Sequence, residues 1–200
     1  MYVINTADHK IFVECLATRN AGRQTYGVWI DLDFKDENDI DSEIRAMLIS
    51  SPNPNTTVEC PKCEACDDDC ERCNGSGEVA SAESWIVTAY DCEDIDCGEY
   101  PDLERLAEIV DVLNSSPNHE AFAVWLNEIA DESDPLENFE NEYRGEYSTA
   151  AEYVESYYRD NSPEFFKSDS MHPSNYVDWE LLAESWQTLT IESGFAFVRD

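Results

Sequence analysis

Pro101-Asp-Leu-Glu-Arg-Leu-Ala-Glu-Ile-Val-Asp-Val-Leu113 has two faces. Leu103, Leu106, Ala107, Val110 and Leu113 recur at helical spacing, while Glu104, Glu108 and Asp111 fall on the opposite side. Pro101 suits the first helical position, where no backbone N–H is needed, and Asp102 adds a further acid to the start. The same division recurs downstream. Past Ser115-Ser-Pro-Asn118, a second helix is expected to bury Phe122, Trp125, Leu126 and Ile129 and to show Glu120, Glu128 and Asp131. Asp134-Pro135 opens a third, with Leu136, Phe139 and Tyr143 inward, Glu137 and Glu140 outward, and a stop at Arg144-Gly145. Thr149 and Glu152 make a capping box for a fourth helix, Ala150 to Tyr158, with Glu152 and Glu155 counted among the outward acids.

The N-terminal third reads as a small sheet with one helix. Ile11-Phe-Val-Glu-Cys-Leu-Ala17 is β-prone, and Tyr26-Gly-Val-Trp-Ile-Asp-Leu-Asp33 alternates with Val28, Ile30 and Leu32 on one side. The polar stretch 18–25 between them reads as a loop. Asp41 or Ser42 is placed to cap a helix that buries Ile44, Met47 and Leu48 and ends at Ser-Ser-Pro near 50–52. Ser84 to Tyr90 forms a third strand. At the other end, a loop over 161–175 precedes a helix with Val177, Leu181, Leu182 and Trp186, and the strand Phe195-Ala-Phe-Val198 follows.

The charge is extreme: 45 acids against 12 bases leave a net charge of -33 on 200 residues. Residues 1–56 carry 9 acids and 5 bases, 57–105 carry 15 and 3, and 106–200 carry 21 and 4, so the charge is not held in a tail. Five Trp, ten Tyr and eight Phe argue for a folded chain over a disordered acidic one. Solubility alone needs a net charge of only about 2–8 for a small domain. No apolar run reaches the ~20 residues of a membrane span, and Met1 to Lys10 lacks the pattern of an export signal. A cytoplasmic location with reduced cysteines is therefore expected.

Those cysteines mark an insert at 53–82. Cys60-Pro-Lys-Cys63 and Cys70-Glu-Arg-Cys73 are two C-x2-C pairs, enough for a closed tetrahedral zinc site of structural kind. The insert has almost no apolar residues, so a metal would supply what a core does not. A flexible acidic loop with free thiols is the alternative. Cys66 competes as a ligand, and Cys92 with Cys97 forms a looser pair. Cys73-Asn-Gly-Ser-Gly77 resembles half of a knuckle in the DnaJ-type zinc-binding region, although the first pair lacks the glycines.

Catalytic patterns are absent from the sequence. The three His, at 9, 119 and 172, stand beside no obvious nucleophile, and neither phosphate-binding glycine pattern occurs. His119 reads as a first-turn helix residue. The acidic rows point elsewhere. Acids four apart on a helix lie about 6 Å apart along the axis, comparable with successive phosphates of a DNA strand. Any one row is also what a solvated helix face looks like, but with so few Lys to pair it the whole set calls for a cationic partner. DNA carries about one charge per 1.7 Å, so one chain matches at most about 16 base pairs and a dimer about 33.

Asn20-Ala-Gly-Arg23, Tyr26-Gly-Val-Trp-Ile-Asp31, Asp41-Ser-Glu-Ile44, Glu83-Ser-Trp85 and Pro101-Asp-Leu-Glu-Arg105 together resemble the ArdA antirestriction family. So do Phe139-Glu-Asn-Glu-Tyr-Arg-Gly-Glu-Tyr147 and Ala151-Glu-Tyr153. The ordered series runs through nearly the whole chain except the insert. The resemblance implies an elongated, curved α+β protein of three small domains that dimerises, mimics bent B-form DNA and inhibits type I restriction-modification enzymes. On this chain the domains would be 1–98 with the insert, a helical middle at 99–133, and an α/β part at 134–200. It further implies that Leu136, Phe139, Tyr143 and Tyr147 belong to the antirestriction region and subunit contact, with Glu137, Glu140, Glu142 and Glu146 facing a partner. That partner would be the enzyme's methyltransferase core with its specificity subunit, and the chain would bind no nucleic acid itself. Competing readings are an acidic chaperone or scaffold for basic proteins, a salt-adapted surface, and a zinc enzyme.

Overall fold

The computed structural model describes residues 9–22, 25–63, 70–91, 95, 97–131, 133–166 and 173–199. Cys66 and Cys92 lie outside the described residues. The fold is mixed α+β, in two compact units, Met1–Pro117 and Asn118–Asp200.

In the first unit, strand β1 (Lys10–Cys15) runs directly into a short helix α1 (Leu16–Asn20), so the polar loop expected from residue 18 begins as a helical turn. Strand β2 (Gly27–Asp31) then pairs antiparallel with β1, setting Ile11 opposite Ile30 and Phe12 opposite Trp29. Gly27 is forced by close approach: a Cβ there would run into the Val13 carbonyl oxygen and the Phe12 ring. Helix α2 (Glu37–Ile49) starts earlier than Asp41. Asp36 caps it, its carboxylate accepting the Asp39 N–H at 2.9 Å, and the added turn buries Ile40 beside the expected Ile44, Met47 and Leu48.

Strands β3 (Thr56–Glu59) and β4 (Glu78–Ser81) form a hairpin within the cysteine insert, which the apolar pattern did not reveal. Strand β5 (Trp85–Asp91) returns to the sheet and completes the antiparallel order β2-β1-β5. Helix α3 (Leu103–Ser115) packs on α2, burying Leu106, Ile109, Val110 and Leu113. It begins after Pro101, with Asp102 as cap; Ile109 joins the buried stripe, and Leu103 and Ala107 sit at its margin.

The second unit opens with helix α4 (His119–Glu128), whose first residue is the expected His119. Phe122 and Trp125 are fully buried and lead an aromatic column. Phe139 meets Phe122 edge-on at 5.3 Å, stacks on Tyr143 at 5.2 Å, and Tyr143 continues to Phe197 at 5.9 Å. Helix α5 (Asn138–Glu142) is only five residues long. Where the third helix was expected to stop, Tyr143–Glu146 is instead a strand, β6, on the edge of the sheet β6-β8-β7. Its register shifts between Tyr143 and Gly145, and Gly145 takes φ 111°, a conformation that favours glycine at such a bulge.

Helix α6 (Ala150–Asn161) has the expected box: Thr149 accepts the Glu152 N–H at 3.1 Å and Glu152 accepts the Ser148 N–H at 2.9 Å. The stretch expected as loop contains two 3-10 turns, Pro163–Phe166 and Pro173–Tyr176. Helix α7 (Trp179–Ala183) buries Ala183, while Leu181, expected inward, is 65% exposed. Strands β7 (Leu189–Glu192) and β8 (Phe195–Val198) close the sheet, β7 adding a strand beside the expected β8. Tyr153, Val154, Ala183 and Ala196 form the second core of this unit, with Tyr158, Trp179 and Trp186 around them.

Polar groups also lock the first unit. The Asp33 carboxylate lies 2.7 Å from His9 Nδ1 and accepts the Asn114 side-chain N–H at 2.8 Å, tying the β2–α2 turn to α3. Burial would raise the Asp33 carboxyl, but the hydrogen bonds from Asn114 and His9 outweigh it and hold the pKa below the ordinary 3.8. A carboxyl depressed on folding stabilises above its unfolded pKa and loses that contribution as pH falls through the folded value. We therefore expect Asp33→Asn to be less stable than the parent at pH 7 in urea unfolding. The difference should shrink on acidification below about pH 4. A constant difference down to pH 2 would refute this role.

Candidate functional site: acidic helix faces and a four-cysteine centre

Glu104, Glu108 and Asp111 are all exposed along the outer face of α3, and none is in an ion pair among the described residues. The same stripe that buries Leu106, Val110 and Leu113 fixes their direction, so the row is carried by a packed helix. Asp102 is exposed as well, but its carboxylate caps α3 by accepting the Arg105 N–H at 3.1 Å. In the second unit Glu120 and Glu128 are exposed on α4, Glu137 just before α5 and Glu140 on it, and Glu146 on β6. Asp131 is exposed and lies 3.9 Å from Arg199. Glu152 is exposed and engaged in its capping box, and Glu155 pairs with Arg159 at 2.6 Å.

Glu142 departs from the expectation that it faces outward. It is 9% exposed, and its carboxylate accepts the indole N–H of Trp125 at 2.8 Å. Arg199 completes the arrangement, with Nε 3.5 Å from Glu142, one terminal nitrogen donating to the Ile129 carbonyl at 2.7 Å and the other to Asp134 at 2.7 Å. The end of α4, the loop after it and the end of α5 are thereby fixed by one guanidinium. A buried Trp needs an acceptor for its N–H, which is the signal that could have drawn attention to a nearby carboxylate. Phe139 is likewise buried in its own unit, whereas Leu136, Tyr143 and Tyr147 are half-buried. Burial raises the Tyr143 hydroxyl above its ordinary pKa, and the nearby Glu146 charge adds to the effect.

The second site is the tip of the β3–β4 hairpin. Thr56 to Glu59 pair with Ser81 to Glu78, and the ladder continues as the Cys60 N–H donates to the Gly77 carbonyl at 2.8 Å. This brings the ends of the cysteine segment together. The Cys63 N–H donates to the Cys60 carbonyl at 3.3 Å, and the Asn74 N–H to the Cys70 carbonyl at 2.8 Å, closing a tight turn at each pair. The Ser76 hydroxyl donates to the Cys73 carbonyl at 2.7 Å, bracing the second turn.

Cys60, Cys63, Cys70 and Cys73 form no disulfide, and their four sulfurs lie within 4.8 Å of one another. Two of the separations are 3.9 Å (Cys60–Cys70) and 3.5 Å (Cys63–Cys73). A tetrahedral ion bonded to four sulfurs at ~2.3 Å holds them about 3.8 Å apart, so the residues fit a metal ion. Backbone N–H groups of Cys73 and Arg72 point at the Cys70 sulfur and lower its pKa to about 7, favouring the thiolate that a metal requires. Cys97 is a half-buried cysteine outside this group and in no disulfide. No helix among the described residues is long and apolar enough to cross a membrane.

A family model for the antirestriction protein ArdA matches residues 11–197. The chain belongs to the ArdA antirestriction family. No curated protein gives a significant match to it. The family match spans the acidic helices of both units and runs through the cysteine hairpin.

Trp125→Phe keeps the aromatic packing and deprives Glu142 of its indole donor. Urea unfolding should show a loss of about 1–3 kcal/mol, the cost of an unsatisfied buried acceptor. Unchanged stability would mean the Trp125–Glu142 bond holds nothing in place.

Proposed function

We propose that the chain prevents restriction by standing in for DNA. It occupies the DNA cleft of a type I restriction-modification enzyme, formed by the methyltransferase core and specificity subunit, and performs no catalysis. The observation that carries this reading is the row Glu104, Glu108 and Asp111: exposed, without cationic partners among the described residues, and fixed on a packed helix. Carboxylates so held replace phosphates at the enzyme's Lys and Arg without reorganising. A flexible acidic tail would offer the same charge without a fixed spacing. The protein acts as a homodimer in the bacterial cytoplasm and binds no nucleic acid directly.

Competition with duplex DNA for a purified type I methyltransferase tests the reading. Glu104→Gln/Glu108→Gln/Asp111→Asn should weaken displacement about tenfold and make it less sensitive to salt, as expected when exposed ion pairs of under ~1 kcal/mol each are lost. Undiminished DNA binding in the presence of micromolar inhibitor at moderate salt would defeat it. Equal affinity for an unrelated basic protein would instead point to an acidic scaffold.

The metal at the hairpin tip is zinc, closed in by four thiolates and structural in role. Cys60 and Cys73 are among the few buried side chains of the insert, so without the ion its tip has little apolar surface to bury. Metal analysis with thiol titration should find a single zinc and four protected thiols, and Cys60→Ser/Cys73→Ser should lose the zinc while retaining competition with DNA. Zinc-free protein with four reactive thiols would sink the assignment.

A further inference from the structure

Phe34 sits where phenylalanine is least at home. Its backbone takes φ 61°, in the left-handed region that a Cβ disfavours and that Gly, Asn and Asp enter most readily. Its side chain is 92% exposed, so packing within the chain does not compensate for that conformation. The turn itself is held on both sides. The Leu32 N–H donates to the His9 carbonyl at 2.8 Å, the Asp33 N–H to the Asp31 carboxylate at 3.0 Å, and the Lys35 N–H to the Leu32 carbonyl at 3.3 Å. Asp33 is anchored to His9 and Asn114, and Asp36 caps α2. The ring is presented by fixed backbone.

Its setting is equally specific. Lys35, the neighbouring base, is drawn to Glu43 at 2.6 Å. Asp31, Asp36 and Glu37 are exposed around the turn. An unstacked aromatic ring between carboxylates has the chemistry of an unstacked nucleobase between phosphates. DNA methyltransferases draw their target base out of the duplex into a pocket where it stacks between aromatic or apolar side chains. Resting on the reading that this chain stands in for DNA, we propose that Phe34 enters the methyltransferase pocket that receives the extruded base. Asp31 and Asp36 then meet the cations that hold the flanking phosphates.

The inference makes the strained residue costly to the free protein and useful only in the complex. Phe34→Asn should unfold at an equal or higher urea concentration than the parent and bind the methyltransferase at least tenfold more weakly, whereas Phe34→Tyr should retain most of the affinity. A photoreactive benzoylphenylalanine at position 34 of the full-length protein should crosslink to residues of the base pocket. Parent-like affinity of Phe34→Asn, its easier unfolding, or crosslinks confined to another surface or to a second copy of the chain would each overturn the inference. If the parent displaces DNA and Phe34→Asn does so equally well, the pocket is lost but the DNA-mimic reading stands. If the parent itself fails to displace DNA, both fall.

Discussion

Like-charge repulsion is the constraint to which the rest of this structure answers. With a net charge of -33 on 200 residues, exposed carboxylates repel one another wherever they come within the ~8 Å over which physiological salt screens them. Each unit therefore needs a core firm enough to hold charged faces outward. Three of the described bases link separate elements or segments. Arg199 joins the end of α4, the following loop and Glu142, Lys35 reaches Glu43 on α2, and Arg19 pairs with the buried Glu14. Of these, Arg199 reaches farthest along the chain, to the Ile129 carbonyl and the Asp134 carboxylate.

Part of the negative charge is also used locally. Asp36, Asp102 and Asp178 cap α2, α3 and α7, each accepting a backbone N–H from the first turn. There a carboxylate is favoured by the helix dipole as well as by its hydrogen bond. Acids at the helix starts thus stabilise the elements whose outer faces carry the remaining acids. The distinction separates Asp102, engaged with its own helix, from Glu104, Glu108 and Asp111, which make no such internal bond.

The long amphipathic segments were legible because their signal is local. Leu106, Val110 and Leu113 are buried as their spacing required, the Thr149–Glu152 box closes as read, and the four thiols gather as two C-x2-C pairs must around one ion. What the sequence hid depends on distant partners. Tyr143–Glu146 is too short to announce itself as a strand, and its conformation is settled by Phe195–Val198 near the other end of the unit. Glu142 reads as an exposed acid until Trp125, on another helix, supplies the donor that draws it inside. Several acids before Ile44 could each cap α2; the packing of Ile40 selects Asp36. Phe34 gives no such signal, because an isolated aromatic residue says nothing about its backbone or exposure.

The hairpin that carries the four cysteines leaves and re-enters the first unit at adjoining points. The Asn55 N–H donates to the Ser81 carbonyl at 3.0 Å, and the Ala82 N–H to the Leu48 carbonyl at 3.0 Å. Its two strands run antiparallel, so the cysteine segment projects from a neck whose two ends lie side by side. The register of β1 with β5 is set elsewhere, from Lys10 opposite Asp91 to Cys15 opposite Trp85. The neck is thus a natural splice junction: a lineage could acquire, exchange or discard the four-cysteine module in one recombination event while the scaffold beneath kept its geometry.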